Sequence, residues 1–309
     1  MRQYIFAFLK GIAMGAANVI PGVSGGTIAL ITGVFERLIN AIKSFDLKAV
    51  KLIFSGKIKE FVQHTDLYFL MALFLGVGIS IISLAKLLEV LFQNYQVLVW
   101  SYFFGLILAS VYYVGKTISR WTTPVILLFI AGFALAVAFT IMSPAKENNS
   151  IWFNFMAGIV AACSMILPGL SGSFVLLLMG SYRLIMIEAV SNFDFTILIP
   201  VGMGAVVGII AFSHFLSWVF KKYKDQMISL LTGFILGSLA IIWPWKTVIE
   251  KYPDRHGVER PLITENVMPA TYESVNQANP FIFVAIICII CGIVSIVAIE
   301  LAAKKSNQQ

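Results

Sequence analysis

The residues best equipped for chemistry sit in a motif that the chain carries twice. Pro21-Gly22-Val23-Ser24-Gly25-Gly26-Thr27 returns at an offset of 147 as Pro168-Gly169-Leu170-Ser171-Gly172-Ser173-Phe174. Proline removes a donor and breaks an incoming helix. Glycine then permits a tight turn and close approach by a ligand. A helix starting near Gly26 or Ser173 leaves several N–H groups unpaired, and Ser24, Thr27, Ser171 and Ser173 add hydroxyls beside Gly25 and Gly172. Two such helix N-termini converging on one point would hold an anion, most naturally a phosphate. The plainer alternative is a pair of helix breaks that serve packing alone.

Ionisable residues inside apolar stretches extend this pattern. They are Glu36, Lys86, Glu89, Arg183, Glu188 and His214. A charge at a membrane helix centre costs about 2.5–3.5 kcal/mol, so each is a functional candidate. In the repeat register Glu36 stands where Arg183 does, and Lys86 stands where His214 does. Arg183, about two turns past the Ser173 loop on the same expected helix, is the expected phosphate cation. Glu36 is expected to hold Arg183 between substrates or to carry a coupling proton. Arg37, Lys86 and His214 complete the charge set. All but Arg183 have a structural rival: Glu36 with Arg37, and Glu188, as interfacial residues, Lys86 with Glu89 as an i,i+3 pair, His214 as a core histidine.

Gly22-Val23-Ser24-Gly25-Gly26 also fits the G-x-S-x-G nucleophile pattern. An intramembrane serine hydrolase with His214 as base is therefore the enzyme reading. Against it, the second copy ends in Ser173, and two serines with one histidine suit binding better than one nucleophile. No P-loop, HExxH, paired metal site or nucleic-acid motif is present. No cofactor and no nucleic-acid partner is expected. Cys163, Cys288 and Cys291 lie in apolar runs and read as small packing residues. No cleavable signal peptide is evident.

The elements that must position these residues follow from composition. Hydrophobic residues make up 59% of the 309, charged residues 12%, and mean hydropathy is +0.91. A soluble fold cannot hide that much apolar surface, so the chain is expected to be an all-α polytopic membrane protein. Six stretches reach spanning length: 67–92, 97–115, 123–142, 197–220, 226–243 and 280–300. The segments flanking each motif (5–19 with 28–42, 152–166 with 174–190) are shorter, about 22 Å of helix. Each pair is expected to form a re-entrant hairpin, 5–42 and 152–190, with its motif at membrane depth; two complete spans with an outer loop is the rival. Further matches join Gly11 to Gly158 and Gly33 to Gly180, then, at offset 128, Gly76 to Gly204 and Gly105 to Gly233. Repeat 1 thus covers 1–148 and repeat 2 covers 149–309, in one transmembrane domain.

With the N-terminus inside, 15 of 22 Lys and Arg fall on the cytoplasmic side and 5 outside, as the positive-inside rule requires. Three spans and one hairpin per repeat is an odd number of crossings. The repeats are therefore expected to be inverted, an arrangement of secondary transporters, with both termini cytoplasmic. The basic segment 43–62 has an apolar face suited to the inner leaflet, a solvated loop being equally open. The polar segment 244–279 offers no site.

The paired motifs Val19-Ile20-Pro21-Gly22-Val23-Ser24-Gly25-Gly26-Thr27 and Ile166-Leu167-Pro168-Gly169-Leu170-Ser171-Gly172-Ser173 resemble those of the bacterial polyprenyl-phosphate transporter family, the PopT-like undecaprenyl-phosphate translocases. The resemblance covers nearly the whole chain. It implies a plasma-membrane protein that returns undecaprenyl phosphate from the outer to the inner leaflet, recycling the lipid carrier of cell-wall synthesis. Expected partners are then polyprenyl phosphate, membrane lipids and a coupling proton or sodium ion; the sequence sets no oligomeric state. A small-anion secondary transporter would use the same parts.

Overall fold

The computed structural model describes residues 2–19, 25–142, 145, 148–253 and 259–307. Over these the chain is mostly helical, and four of its helices begin at a residue whose side chain accepts from a free N–H group. α1 (Arg2–Val19) leads to the first motif; α2 (Gly25–Ile31) and α3 (Phe35–Lys43) follow it. α4 (Leu47–Phe54) starts at Asp46, whose carboxylate accepts from the Ala49 N–H at 2.9 Å and contacts His64 at 3.1 Å. The Ala49 N–H and then His64 hold the Asp46 carboxyl below its ordinary pKa. α5 (Ile58–His64) completes the amphipathic segment, and Leu47 and Phe54 are 88% and 87% exposed.

α6 (Leu67–Gly115) runs 49 residues and departs from helical geometry only at Tyr95, where two limbs meet. α7 (Thr123–Ile141) has a proline in its first turn, where a missing N–H costs nothing. α8 (Ile151–Ile166) is capped by Ser150 and leads to the second motif and α9 (Gly172–Leu178). A π-helical stretch, Arg183–Ala189, continues into α10 (Val190–Asn192). α11 (Phe195–Lys222), α12 (Lys224–Gly237) and α14 (Ile282–Asn307) complete the apolar helices.

Among the described residues four helical segments are long and apolar enough to cross a membrane, Leu67–Leu84, Val90–Gly115, Thr123–Ile141 and Phe195–Lys222, or five if the bent pair Gly25–Ile31 and Phe35–Lys43 is one span. The remaining two expected spans are shorter. α12 has 14 residues before it tightens into a 3-10 turn at Ser238–Ala240, and the apolar part of α14 is Ile282–Ala298.

One expectation is corrected here. The segment 28–42, expected as the second arm of a hairpin, is not one helix. Thr32-Gly33 turns the chain, Gly33 at φ +71°, and α2 meets α3 at 116°. The second arm of the other hairpin breaks likewise at Gly180, φ +70°. Glycine takes this left-handed conformation with no Cβ to strain it, and the two positions match in the repeat register. Segment 244–279, polar and without a site motif, contains the hairpin β1 (Lys246–Pro253) and β2 (Glu259–Asn266), antiparallel from Lys246↔Asn266 to Pro253↔Glu259, then α13 (Pro269–Asn276). Lys246 at its base reaches the Ile241 carbonyl and lies 4.2 Å from the centre of the Trp100 ring. Burial pushes its amine down to about 8.

Glycines decide which helices touch. A methyl at Gly11 would strike the Leu73 carbonyl, and one at Gly76 the Phe8 carbonyl, so α1 lies backbone to backbone on the first limb of α6. Gly158 against Val201 and Gly204 against Phe155 bring α8 onto α11 in the same register. Gly105 against Ile289 and Gly292 against Tyr102 join the second limb of α6 to α14. Gly132 against Leu230 and Gly233 against Phe129 join α7 to α12. Small residues at such crossings are what membrane helices use in place of a hydrophobic drive to pack.

Candidate functional site: two motif loops that meet

The first motif is only partly placed. Ser24, with Pro21-Gly22-Val23, lies outside the described residues. The Gly25 N–H donates to Asn18 Oδ1 at 2.8 Å, so a side chain of α1 already holds the start of α2. A Cβ at Gly25 would press on that same amide. Gly26 and Thr27 are buried, Thr27 to 1% exposure.

The second motif is complete. Gly169 stands at φ +85° with its α-carbon close to the Phe234 carbonyl of α12. Its N–H donates to Thr27 Oγ1 at 2.9 Å. Two loops 142 residues apart in sequence are thereby joined by a buried hydrogen bond. Ser171 caps α9 by accepting from the Phe174 N–H at 3.2 Å, and its hydroxyl lies 3.2 Å from that of Ser173. Gly172 is buried against Met165 and the Ala161 carbonyl. α2 and α9 have seven residues each. Helices of two turns carry less aligned dipole than the sequence reading assumed, so the polar character here comes chiefly from hydroxyls and individual N–H groups.

The charged residues do not assemble as expected. Arg183 is not on the helix that starts at the Ser173 loop: α9 ends at Leu178, and Arg183 follows the Gly180 bend. Its Nε donates to Glu188 at 3.0 Å, and its side chain is 68% exposed. Glu36 does not hold Arg183; it accepts from Lys224 at the start of α12 at 3.3 Å. The bend at Gly33 turns α3 by 116° from α2, so Glu36 pairs with Lys224, and Arg183 beyond the Gly180 bend pairs within its own stretch. Arg37 makes a two-point pair with Asp66, Nε–Oδ2 2.7 Å and Nη2–Oδ1 3.0 Å, and lies 4.2 Å above the Phe69 ring. His214 Nδ1 is 2.9 Å from the Ile210 carbonyl one turn back on its own helix. Lys86 belongs to α6, and its side chain lies outside the described residues. Among the described residues the Ser171 and Ser173 hydroxyls have no histidine partner.

Several participants were missed. Asn18, a polar residue three before Pro21, was the one local signal for the α2 contact. Lys10, whose amine donates to the Thr32 carbonyl at 2.7 Å, sits in an apolar run and met the same test as Lys86. Asn40, Lys43 and Ser217 form a polar seam between α3 and α11: Ser217 donates to Asn40 Oδ1 at 2.8 Å, and Lys43 reaches the Ser217 hydroxyl at 3.4 Å. Asp66 and Lys224 carry no local sign of their distant partners.

Residues 14–260 match the undecaprenyl phosphate translocase-like family. The chain belongs to that family. A protein of Vibrio cholerae serotype O1 named polyprenyl-phosphate transporter is 36% identical over 303 residues, 98% of each chain. One of Staphylococcus aureus with the same name is 32% identical over 253 residues, 76% of this chain and 85% of its own. No solved structure matches the chain.

Proposed function

We propose that this protein carries polyprenyl phosphate, undecaprenyl phosphate above all, from the outer to the inner leaflet of the bacterial plasma membrane, without catalysis. The phosphate is the part that needs a protein. The isoprenoid tail is at home in lipid, whereas a bare phosphate pays tens of kcal/mol by the idealised Born estimate. Gly25, Gly26, Thr27, Ser171, Gly172 and Ser173, with Ser24, form its polar crossing point.

The observation that carries this reading is the buried bond from the Gly169 N–H to Thr27 Oγ1. It makes one polar place of two loops with the same unusual composition. The names of the relatives supply the substrate class. In this reading residues 1–148 and 149–309 are inverted repeats with both termini in the cytoplasm; the recurring glycine contacts support it. Arg183 must leave Glu188 to serve the phosphate, and a proton or sodium ion drives the cycle.

The test is leaflet-to-leaflet movement of a short-chain polyprenyl phosphate in vesicles containing the purified protein, with and without a proton gradient. Movement that needs the protein supports the reading. Uptake of a small anion with no lipid movement would replace it by an anion transporter.

A further inference from the structure

The polar face of α3 borders an open depression of about 500 Å³ lined by Glu36, Arg37, Asn40, His64 and Asp66. A second depression of about 510 Å³ is lined only by apolar residues, among them Ile42, Leu67, Leu70, Phe74, Val206 and Ile210. The two are contiguous along the chain at two places. Ala41 lines the first and Ile42 the second; Asp66 lines the first and Leu67 the second. Both depressions are walled by α3 and the start of α6, and α11 also lines the apolar one. A charged cup and a purely apolar trough on the same two elements suit an amphiphile with a small head and an apolar chain.

The cup's charges say which head. Glu36 is occupied by Lys224. Arg37 spends two N–H groups on Asp66, and guanidinium has five in a planar fork, so three remain. A phosphate monoester presents several acceptor oxygens, which match that fork. It must compete with Asp66 for the same cation, so the site holds its ligand loosely. Loose holding suits a place where a ligand leaves.

We propose that this cup and trough are the release station for the isoprenoid phosphate on the cytoplasmic side, with Arg37 binding the phosphate and the trough taking the chain beside it. The proposal rests on the transport reading and on its orientation. It places a second phosphate position apart from the crossing of the motif loops. Asp66 is a built-in competitor, and its replacement has a sign that a merely structural role does not predict. Asp66 stands at φ +48°, a conformation that Asn tolerates as well as Asp, so Asp66→Asn keeps the turn and removes the charge.

The probe is farnesyl phosphate with a photoreactive diazirine at the far end of its chain, cross-linked to the full-length protein in detergent and mapped by peptide mass spectrometry. The expected result is label on 67–74 and 206–210. It should fall about tenfold in Arg37→Gln and rise several-fold in Asp66→Asn. Excess farnesyl phosphate should displace it; farnesol and phosphatidylglycerol should not. Equal displacement by farnesol or phosphatidylglycerol would make the trough an ordinary lipid-facing crevice and overturn the proposal. So would a fall of label in Asp66→Asn. If Arg37→Gln fails to fold, Asp66→Asn and the competition series still decide. Because binding is read without transport, label that behaves as expected in a protein that moves no lipid would keep the cup and trough as a binding site for an isoprenoid phosphate and remove both the transport reading and the release role.

Discussion

Replacing Thr27 by valine removes one oxygen from the centre of the bundle and leaves its shape almost unchanged. Thr27 is 1% exposed, and its Oγ1 accepts the buried Gly169 N–H at 2.9 Å. Gly169 cannot easily turn that N–H elsewhere, because its left-handed backbone is backed by the Phe234 carbonyl. An orphaned buried donor costs about 1–3 kcal/mol, and 1.4 kcal/mol is about tenfold in an equilibrium. If the two loops must stay joined to pass the phosphate, Thr27→Val should lower transport about tenfold or more. Thr27→Ser is the matched control. It keeps the oxygen and removes one buried methyl, about 1 kcal/mol, so thermal stability should fall while most transport survives. The assay is the vesicle experiment with a short-chain polyprenyl phosphate, paired with thermal unfolding in detergent. Wild-type transport by Thr27→Val, or equal loss in the serine variant, would refute the idea that this hydrogen bond matters to the site.

Gly76→Ala should destabilise the protein by about 1–3 kcal/mol through overpacking against Phe8. Gly78→Ala, with open space at its Cβ, should be neutral or slightly stabilising; comparable losses of Tm at both positions would show that the close helix contact is not what glycine provides. The Lys246 amine titrates at about 8 in the folded protein against 10.5 ordinarily. Between these values the unfolded chain binds the extra proton, so stability should rise with pH across that window, by about 3 kcal/mol in full. Lys246→Met should lack the rise, and a constant Tm difference between the two proteins from pH 7.5 to 10 would contradict it. Arg183→Ala should reduce transport, whereas Glu188→Gln, which frees the guanidinium, should preserve or raise it; matching losses in both would mean that the ion pair is structural.

Sequence reasoning reached the fold through residues whose size alone matters. Gly11, Gly76, Gly158, Gly204, Gly105 and Gly233 were visible as repeated positions, and each is a backbone contact, because no other residue fits there. Which helix each glycine meets was not legible: nothing at Gly233 says that its partner is Phe129 on α7. Gly33 and Gly180 were also visible as a match, yet the bends they make were not, since hydropathy runs unbroken through both and carries no direction. That one omission misplaced Arg183 and the partner of Glu36. Ion pairs such as Glu36–Lys224, 188 residues apart, follow from where helices end in space. The strands at 246–266 escaped notice because charged residues and prolines interrupt their alternation.

The glycine contacts also bear on how such a chain can be cut or have grown. α7, before residue 148, is fastened to α12 after it, and the second limb of α6 is fastened to α14. Each stretch thus lends one arm to the other. Two separately made fragments, 1–148 and 149–309, would each expose a glycine-lined helix face with nothing of its own to cover it, and would complete their folding only on meeting. In the proposed two-repeat reading, a half-length forerunner with these contacts would have needed a second copy to cover its arms, and fusing two copies would change the connectivity while keeping the interhelical contacts.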